Sequence, residues 1–150
     1  MIITFCGHSH YKGNAEDMKK ILDFLEEKVG DSKAEMYLGE YGGFDEFAYE
    51  CCKKYKENHP AVSLIFVTPY ITPEYQNNHL SYQKDRFDSI LYPEIEDKPL
   101  RFAISYRNKY MVEQADYVIA CIDHKTGGAY QAYVHAKRRK KHIFSIGKIL

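Results

Sequence analysis

The run VSLIFVTPY, residues 62–70, decides the fold class. It is apolar on both of its alternating sets of side chains. A strand wet on one face alternates apolar and polar residues, whereas a strand covered on both faces reads as a continuous apolar run. The stretch therefore predicts a central strand of a parallel sheet, flanked by helices on both sides and ending at Thr68-Pro69.

Towards the N-terminus, the order strand, glycine turn, helix occurs twice. Ile2, Ile3, Thr4 and Phe5 form an apolar, β-branched run that stops at Gly7. From Asn14 the period changes: Met18, Ile21, Leu22, Leu25 and Val29 recur at helical spacing, with Asn14 as N-cap, Asp17 three residues on and Gly30 as the stop. Glu35 to Leu38 make a second strand, which runs into the glycines of GEYGGFDEF. Phe44, Phe47, Ala48, Cys51 and Tyr55 then mark one face of a second helix that ends between Asn58 and Pro60.

Towards the C-terminus, residues 71–101 are irregular, with Pro73, Pro93 and Pro99 and a short helix and strand around YQKDRFDSILYP. They read as an insertion over the site and not as a domain boundary. From Ile104 a helix through Met111 and Ala115 leads to a strand at Tyr117 to Asp123. TGGAYQAYVHAKRRKK (Thr126 to Lys141) and a last strand at His142 to Gly147 follow. The alternation predicts a single α/β domain over residues 1–150, a three-layer Rossmann-like sandwich with a mainly parallel sheet and right-handed crossovers.

A chain of 150 residues is one domain by ordinary size and can bury one sizeable core. Its 21 basic and 21 acidic residues leave no net charge, so no global field draws it to DNA or to an anionic membrane. The balance argues against nucleic acid as a partner, and any basic patch must be local. The four cysteines show no CxxC spacing, and Cys51 and Cys52 are adjacent on a helix, so reduced, buried thiols are expected. There is no positively charged leader, and no apolar segment reaches the roughly 18 to 20 residues of a membrane span, which points to the cytoplasm. Fourteen tyrosines and no tryptophan suit either half-wet core edges or a surface that stacks a flat ligand.

In open parallel sheets, ligands sit beyond the carboxyl ends of the strands. That selects four loops: Cys6 to Asn14, Gly39 to Glu46, Thr68 to Glu74 and Asp123 to Tyr130. Two of them carry glycines just ahead of a helix, Gly42-Gly43 and Gly127-Gly128, where backbone N–H groups and the helix N-terminus suit a phosphate. Neither matches GxGxxG or a P-loop, and glycine turns also serve simple steric needs. Arg107 shares its helical spacing with Ile104 and Met111 and so points inward. It either serves a ligand phosphate or pairs with an acid such as Asp116 or Asp123. His8 and His10 have the spacing of a metal pair, but no neighbouring cysteine or acid completes a set. We expect no metal, and His8 is read as a hydrogen-bonding group beside a ligand. Glu40 is the carboxylate best placed for acid or base work, against the alternative of a solvated loop residue. Lys137 to Lys141 reads as the solvated C-terminal end of a helix, with DNA binding as the alternative.

Taken in order, ITFCGHS, GEYGGFDEFA, VTPY, YRNKYMVEQADYVIACID and GGAYQAYVHAKRRKKHIFSI resemble the SLOG superfamily. These are Rossmann-like proteins that include DNA-processing protein A and the LOG phosphoribohydrolases, and the likeness is to their small bacterial members. It spans most of the chain outside 71–101. The resemblance implies a nucleotide or nucleotide-derived ligand at the strand ends, bound as a signal. Gly7, His8, Gly42, Gly43, Thr68, Pro69, Arg107, Asn108, Thr126, Gly127 and Gly128 would surround its phosphate. Tyr41, Tyr70 or Tyr130 could stack on the base. No further cofactor is expected, and a homodimer is implied because members of the group often dimerise. Catalytic LOG proteins carry PGGxGTxxE, whereas this chain has TGGAYQAY, with Tyr133 near where the glutamate would be needed. The departure favours ligand binding over cleavage of an N-glycosidic bond, for which Glu40 would be the remaining acid.

Overall fold

A computed structural model describes residues 1–147. Strands β1 (Ile2–Gly7), β2 (Ala34–Leu38), β3 (Val62–Val67), β4 (Ser89–Leu91), β5 (Tyr117–Cys121) and β6 (His142–Ser145) form one sheet in the order β4-β3-β2-β1-β5-β6. Every pairing in it is parallel. Between the strands lie α1 (Ala15–Lys28), α2 (Gly43–Lys56), α5 (Ala103–Gln114) and α6 (Gly127–Arg138). Two short helices, α3 (Pro73–Tyr75) and α4 (Ser81–Gln83), flank a π-helical turn at Gln76–Leu80.

Alternate residues of each strand feed opposite sides of the sheet. Ile3, Phe5, Met36, Leu38, Leu64, Phe66 and Ile119 join Ile21 and Leu25 of α1 and Phe44, Ala48 and Cys51 of α2 in the larger core. Cys6, Val118 and Ala120 turn the other way, against Val112 of α5 and Ala132 and Ala136 of α6. Tyr37, Ile65 and Val67 extend that second layer around Met111. The expected three-layer parallel α/β architecture is therefore present.

The run at 62–70 is covered on both faces, as read, but β3 stands one strand from the edge and β2 and β1 hold the centre. Part of the 71–101 segment is built into the sheet: β4 pairs with Ile65–Val67, and the Thr68 N–H donates to Leu91 O at 2.9 Å.

Asn14 caps α1 as expected. Its Oδ1 accepts from the Asp17 N–H at 2.7 Å, while Asp17 Oδ2 accepts from Tyr11 Oη at 2.6 Å and from Asn14 Nδ2 at 3.1 Å. Tyr11 in turn packs on Phe44 and Phe47 of α2. The loop that follows β1 is thereby fixed to two helices at once.

All four cysteines are free. Burial pushes the thiols of Cys6 and Cys51 up to about 12 and that of Cys121 to about 11, so they are unreactive at neutral pH.

Candidate functional site

Beyond β1 the chain continues towards β2 on one side, and the next strand on the other side is β5. The order thus reverses between β1 and β5, which is where an open parallel sheet leaves a crevice at its carboxyl edge. A cleft of about 270 Å³ lies there, lined by the end of β1 and its loop, Tyr41 and Asp45 of the α2 entry, one face of α5 and the start of α6.

Arg107 forms one wall. It is 1% exposed and is the largest fully buried side chain. Its Nη1 donates to Val67 O at 2.7 Å and its Nε to Asn108 Oδ1 at 2.9 Å, and among the described residues Nη2 has no hydrogen-bond partner. The expected structural partners are engaged elsewhere: Asp116 accepts from the Ile2 N–H, and Asp123 pairs with histidines. The acid facing Arg107 is Asp45. Both border Gly39, where a Cβ would lie 3.0 Å from Asp45 Oδ2 and 3.3 Å from the Arg107 guanidinium. No hydrogen bond or ion pair joins them directly, so the guanidinium charge is only partly met. Burial pulls the Arg107 pKa down, and Asp45 opposes it.

Asp45 Oδ2 accepts from the Tyr41 N–H at 2.8 Å. Burial outweighs Arg107 and pushes its carboxyl up to about 6. This is the acid of the cleft. Glu40, expected in that role, does not line it. The signal was present in GGFDE, since an acid three residues into a helix commonly reaches back over the helix start.

The N-terminus of α6 lines the same cleft as Arg107. Thr126 provides no side-chain cap, the first turn carries no acid, and a Cβ on Gly127 would meet nothing within 4 Å. Gly127 holds φ 88°, and the first backbone N–H groups of a helix have no partner within it. The other glycine pair does different work. A side chain on Gly42 would run into Ser9 and one on Gly43 into Tyr11 O, and the Gly43 N–H is already given to Ser9 O at 2.7 Å. Gly42-Gly43 is a packing joint between two loops. Gly7 lines the cleft and faces Phe44, whose ring occupies the place of a β-carbon.

Of the remaining expected residues, His8 and Asn108 line the cleft. Thr68 is buried and turns its Oγ1 to Tyr70 O at 2.8 Å; neither it nor Pro69 reaches the cleft. Tyr41 sits at the mouth, with its ring centroid 5.5 Å from the Arg107 guanidinium. Tyr70 meets Tyr75 edge to face at 5.1 Å, outside the cleft lining, and Tyr130 belongs to a separate small pocket with Tyr133 and Lys137.

The β5–α6 loop adds a group that pattern reading did not assemble. Rings of His8 and His124 stack at 3.6 Å, with His10 5.5 and 5.3 Å from them. Asp123 lies beneath: its Oδ1 is 2.6 Å from His124 Nδ1 and its Oδ2 is 3.0 Å from His10 Nε2. His8 and His10 are two positions apart, but Asp123 and His124 come from a loop more than a hundred positions away, so spacing carried no hint of them. Burial and the neighbouring His124 pull the His8 pKa down, which keeps its imidazole neutral; the two histidine contacts hold Asp123 below the usual carboxylate range.

The basic run lies at the other end of α6. Lys141 Nζ donates to Glu113 O at 2.8 Å and Ala115 O at 3.1 Å, closing the carbonyl end of α5, and Arg139 approaches Glu113 at 3.9 Å. Lys137, Arg138 and Lys140 are exposed.

No family model matches the chain, and no curated protein matches its sequence. Among solved structures, DNA processing protein A from Helicobacter pylori, described for its single-stranded DNA binding mode, is similar over 100% of this chain with a TM-score of 0.65 and 19% identity. The chain shares the Rossmann-like α/β fold of part of that protein. The Streptococcus pneumoniae protein is similar over 99% of the chain with a TM-score of 0.62 and 16% identity. The chain spans 66% and 51% of the lengths of these two proteins, and at such identities the likeness is one of architecture. Among the described residues, no helix is long and apolar enough to cross a membrane.

Proposed function

We propose that this chain binds a nucleotide or nucleotide-derived ligand in the cleft between β1 and β5, and that it belongs with the SLOG proteins. The observation that carries this reading is a pair of positive features that line one cleft. A buried arginine and a helix start with no side-chain cap, no acid in its first turn and open space beside Gly127 line the same cleft. A phosphate satisfies both, by charge-assisted bonds to the guanidinium and by backbone donors at the helix start. Tyr41, 42% exposed at the mouth, offers a ring for a base.

The test is a melting-temperature panel of nucleoside monophosphates and ADP-ribose, with free base followed in parallel. Stabilisation of wild type and its loss in Gly128→Asp are expected. A side chain at Gly128 has room, the nearest atom being Asn108 Nδ2 at 3.8 Å, so the variant folds while placing a carboxylate where the phosphate would sit. Stabilisation by none of these ligands, or equal stabilisation of the variant, overturns the reading.

Two observations favour further readings of the same cleft. Asp45, with its carboxyl near pKa 6, has the proton affinity of a general acid or base, which supports cleavage of an N-glycosidic bond. Release of free base that disappears in Asp45→Asn is the outcome for that reading. The single-stranded DNA bound by the Helicobacter pylori protein brings back a ligand class that the charge balance had argued against. Retardation of a single-stranded oligonucleotide that weakens steeply with salt is the outcome for DNA.

A further inference from the structure

We propose that His8, His124 and Asp123, with His10 beside them, form a binding site for one divalent transition-metal ion of the zinc class at the edge of the cleft. One donor atom from each of His8, Asp123 and His124 already lies within 4.8 Å of the other two. Two imidazoles and a carboxylate are a donor set suited to zinc, cobalt or nickel and poorly suited to magnesium or calcium, which prefer oxygen alone.

The independent observation is the state of His8. Its side chain is 6% exposed and its Nε2 is buried without a hydrogen bond. Asp123 Oδ1 stands 3.5 Å away, close enough for attraction but outside hydrogen-bonding geometry. A buried polar atom without a partner costs stability unless something occupies it. This one is aimed at a carboxylate that also gathers His124 and His10, at 2.6 and 3.0 Å. Bonds of about 2.0 to 2.2 Å to an ion put tetrahedral donors about 3.4 Å apart, which matches the 3.5 Å between His8 Nε2 and Asp123 Oδ1, while the 2.6 Å between Asp123 Oδ1 and His124 Nδ1 has to open. The His8 and His124 rings stack at 3.6 Å, so their in-plane lone pairs run side by side, and His124, half exposed on the β5–α6 loop, turns for both to point at one ion.

The surroundings hold this geometry. The Tyr11 N–H donates to His8 O at 3.2 Å and the Gly43 N–H to Ser9 O at 2.7 Å, so the His8 to Tyr11 loop is pinned on both sides of Ser9. His8, His10 and His124 line the cleft, so an ion held by them would border the space assigned to the ligand. The site does not depend on the nucleotide reading, and either can fail without the other.

The experiment uses the full, tag-free chain after treatment with a chelator. Titration with Co2+ is followed by visible absorption and titration with Zn2+ by calorimetry, with Mg2+ as the comparison ion. One equivalent of Co2+ giving the intense visible bands of a four-coordinate site, displaced by Zn2+ and not by Mg2+, is expected. His8→Ala, His124→Ala and Asp123→Ala should each weaken Zn2+ binding at least about tenfold, while His135→Ala and His142→Ala, remote from the cluster, leave it unchanged. Asp123 is 57% exposed, so its variant folds even if His8→Ala does not. Absence of Co2+ and Zn2+ binding overturns the proposal, as does binding that survives Asp123→Ala or is matched by Mg2+.

Discussion

Asp45 carries the clearest residue-level consequence, because its folded-state carboxyl sits near pKa 6 instead of 3.8. The fold therefore prefers the protonated acid. The stability this gives is complete below about pH 4 and is lost as pH rises through 6. Asp45→Asn is accordingly expected to melt above wild type at pH 7.5, with the gap shrinking as pH falls below 6 and vanishing near 4. Melting curves across that range check it. Gly7 supplies a second case. A methyl there would collide with the Phe44 ring, so Gly7→Ala should cost about 1 to 3 kcal/mol, read as a lower urea midpoint with an unchanged slope. Single side chains were only half legible in the sequence. Helical spacing with Ile104 and Met111 sufficed to turn Arg107 inward, because burial along a helix is periodic. The acid beside it was not legible, since Asp45 sits in the first turn of α2, far away in the chain. The His8, His124 and Asp123 group was hidden for the same reason.

At the scale of elements, α1 rests on its first turn, where Asn14, Asp17 and Tyr11 bond one another. Asn14→Ala should cost about 1 kcal/mol in chemical denaturation, while Asn14→Ser should restore most of it. The helices and long strands were readable because each buries one regular face. β4, three residues at the sheet edge, and the π-helical turn at Gln76–Leu80 have no such period and stayed indistinct. The two glycine pairs show where local patterns stop. Gly42-Gly43 and Gly127-Gly128 both precede helices, yet the first is filled by the β1 loop and the second faces open space. Only the tertiary neighbours separate a packing joint from a set of free amides.

For the whole molecule, zero net charge conceals an arrangement along α6. Its 12 residues span about 18 Å, with bare amides at one end and exposed cations at the other. Salt screening over that distance makes the two ends nearly independent. Charge reversal at Arg138 and Arg139 together should leave ADP-ribose stabilisation within error of wild type. It should lower oligonucleotide retention only if DNA tracks beyond the cleft, which a salt titration of both proteins resolves. The strand order also sets a timetable. Ile3 pairs with Tyr117 and Gly7 with Cys121, so the first strand waits for the last third of the chain before its second neighbour exists. During synthesis β1 and β2 can pair early, but the cleft has only one wall until β5 and α6 emerge. A ligand added to a ribosome-bound chain truncated before Thr126 would meet Arg107 without the start of α6 and should bind more weakly than to the finished protein.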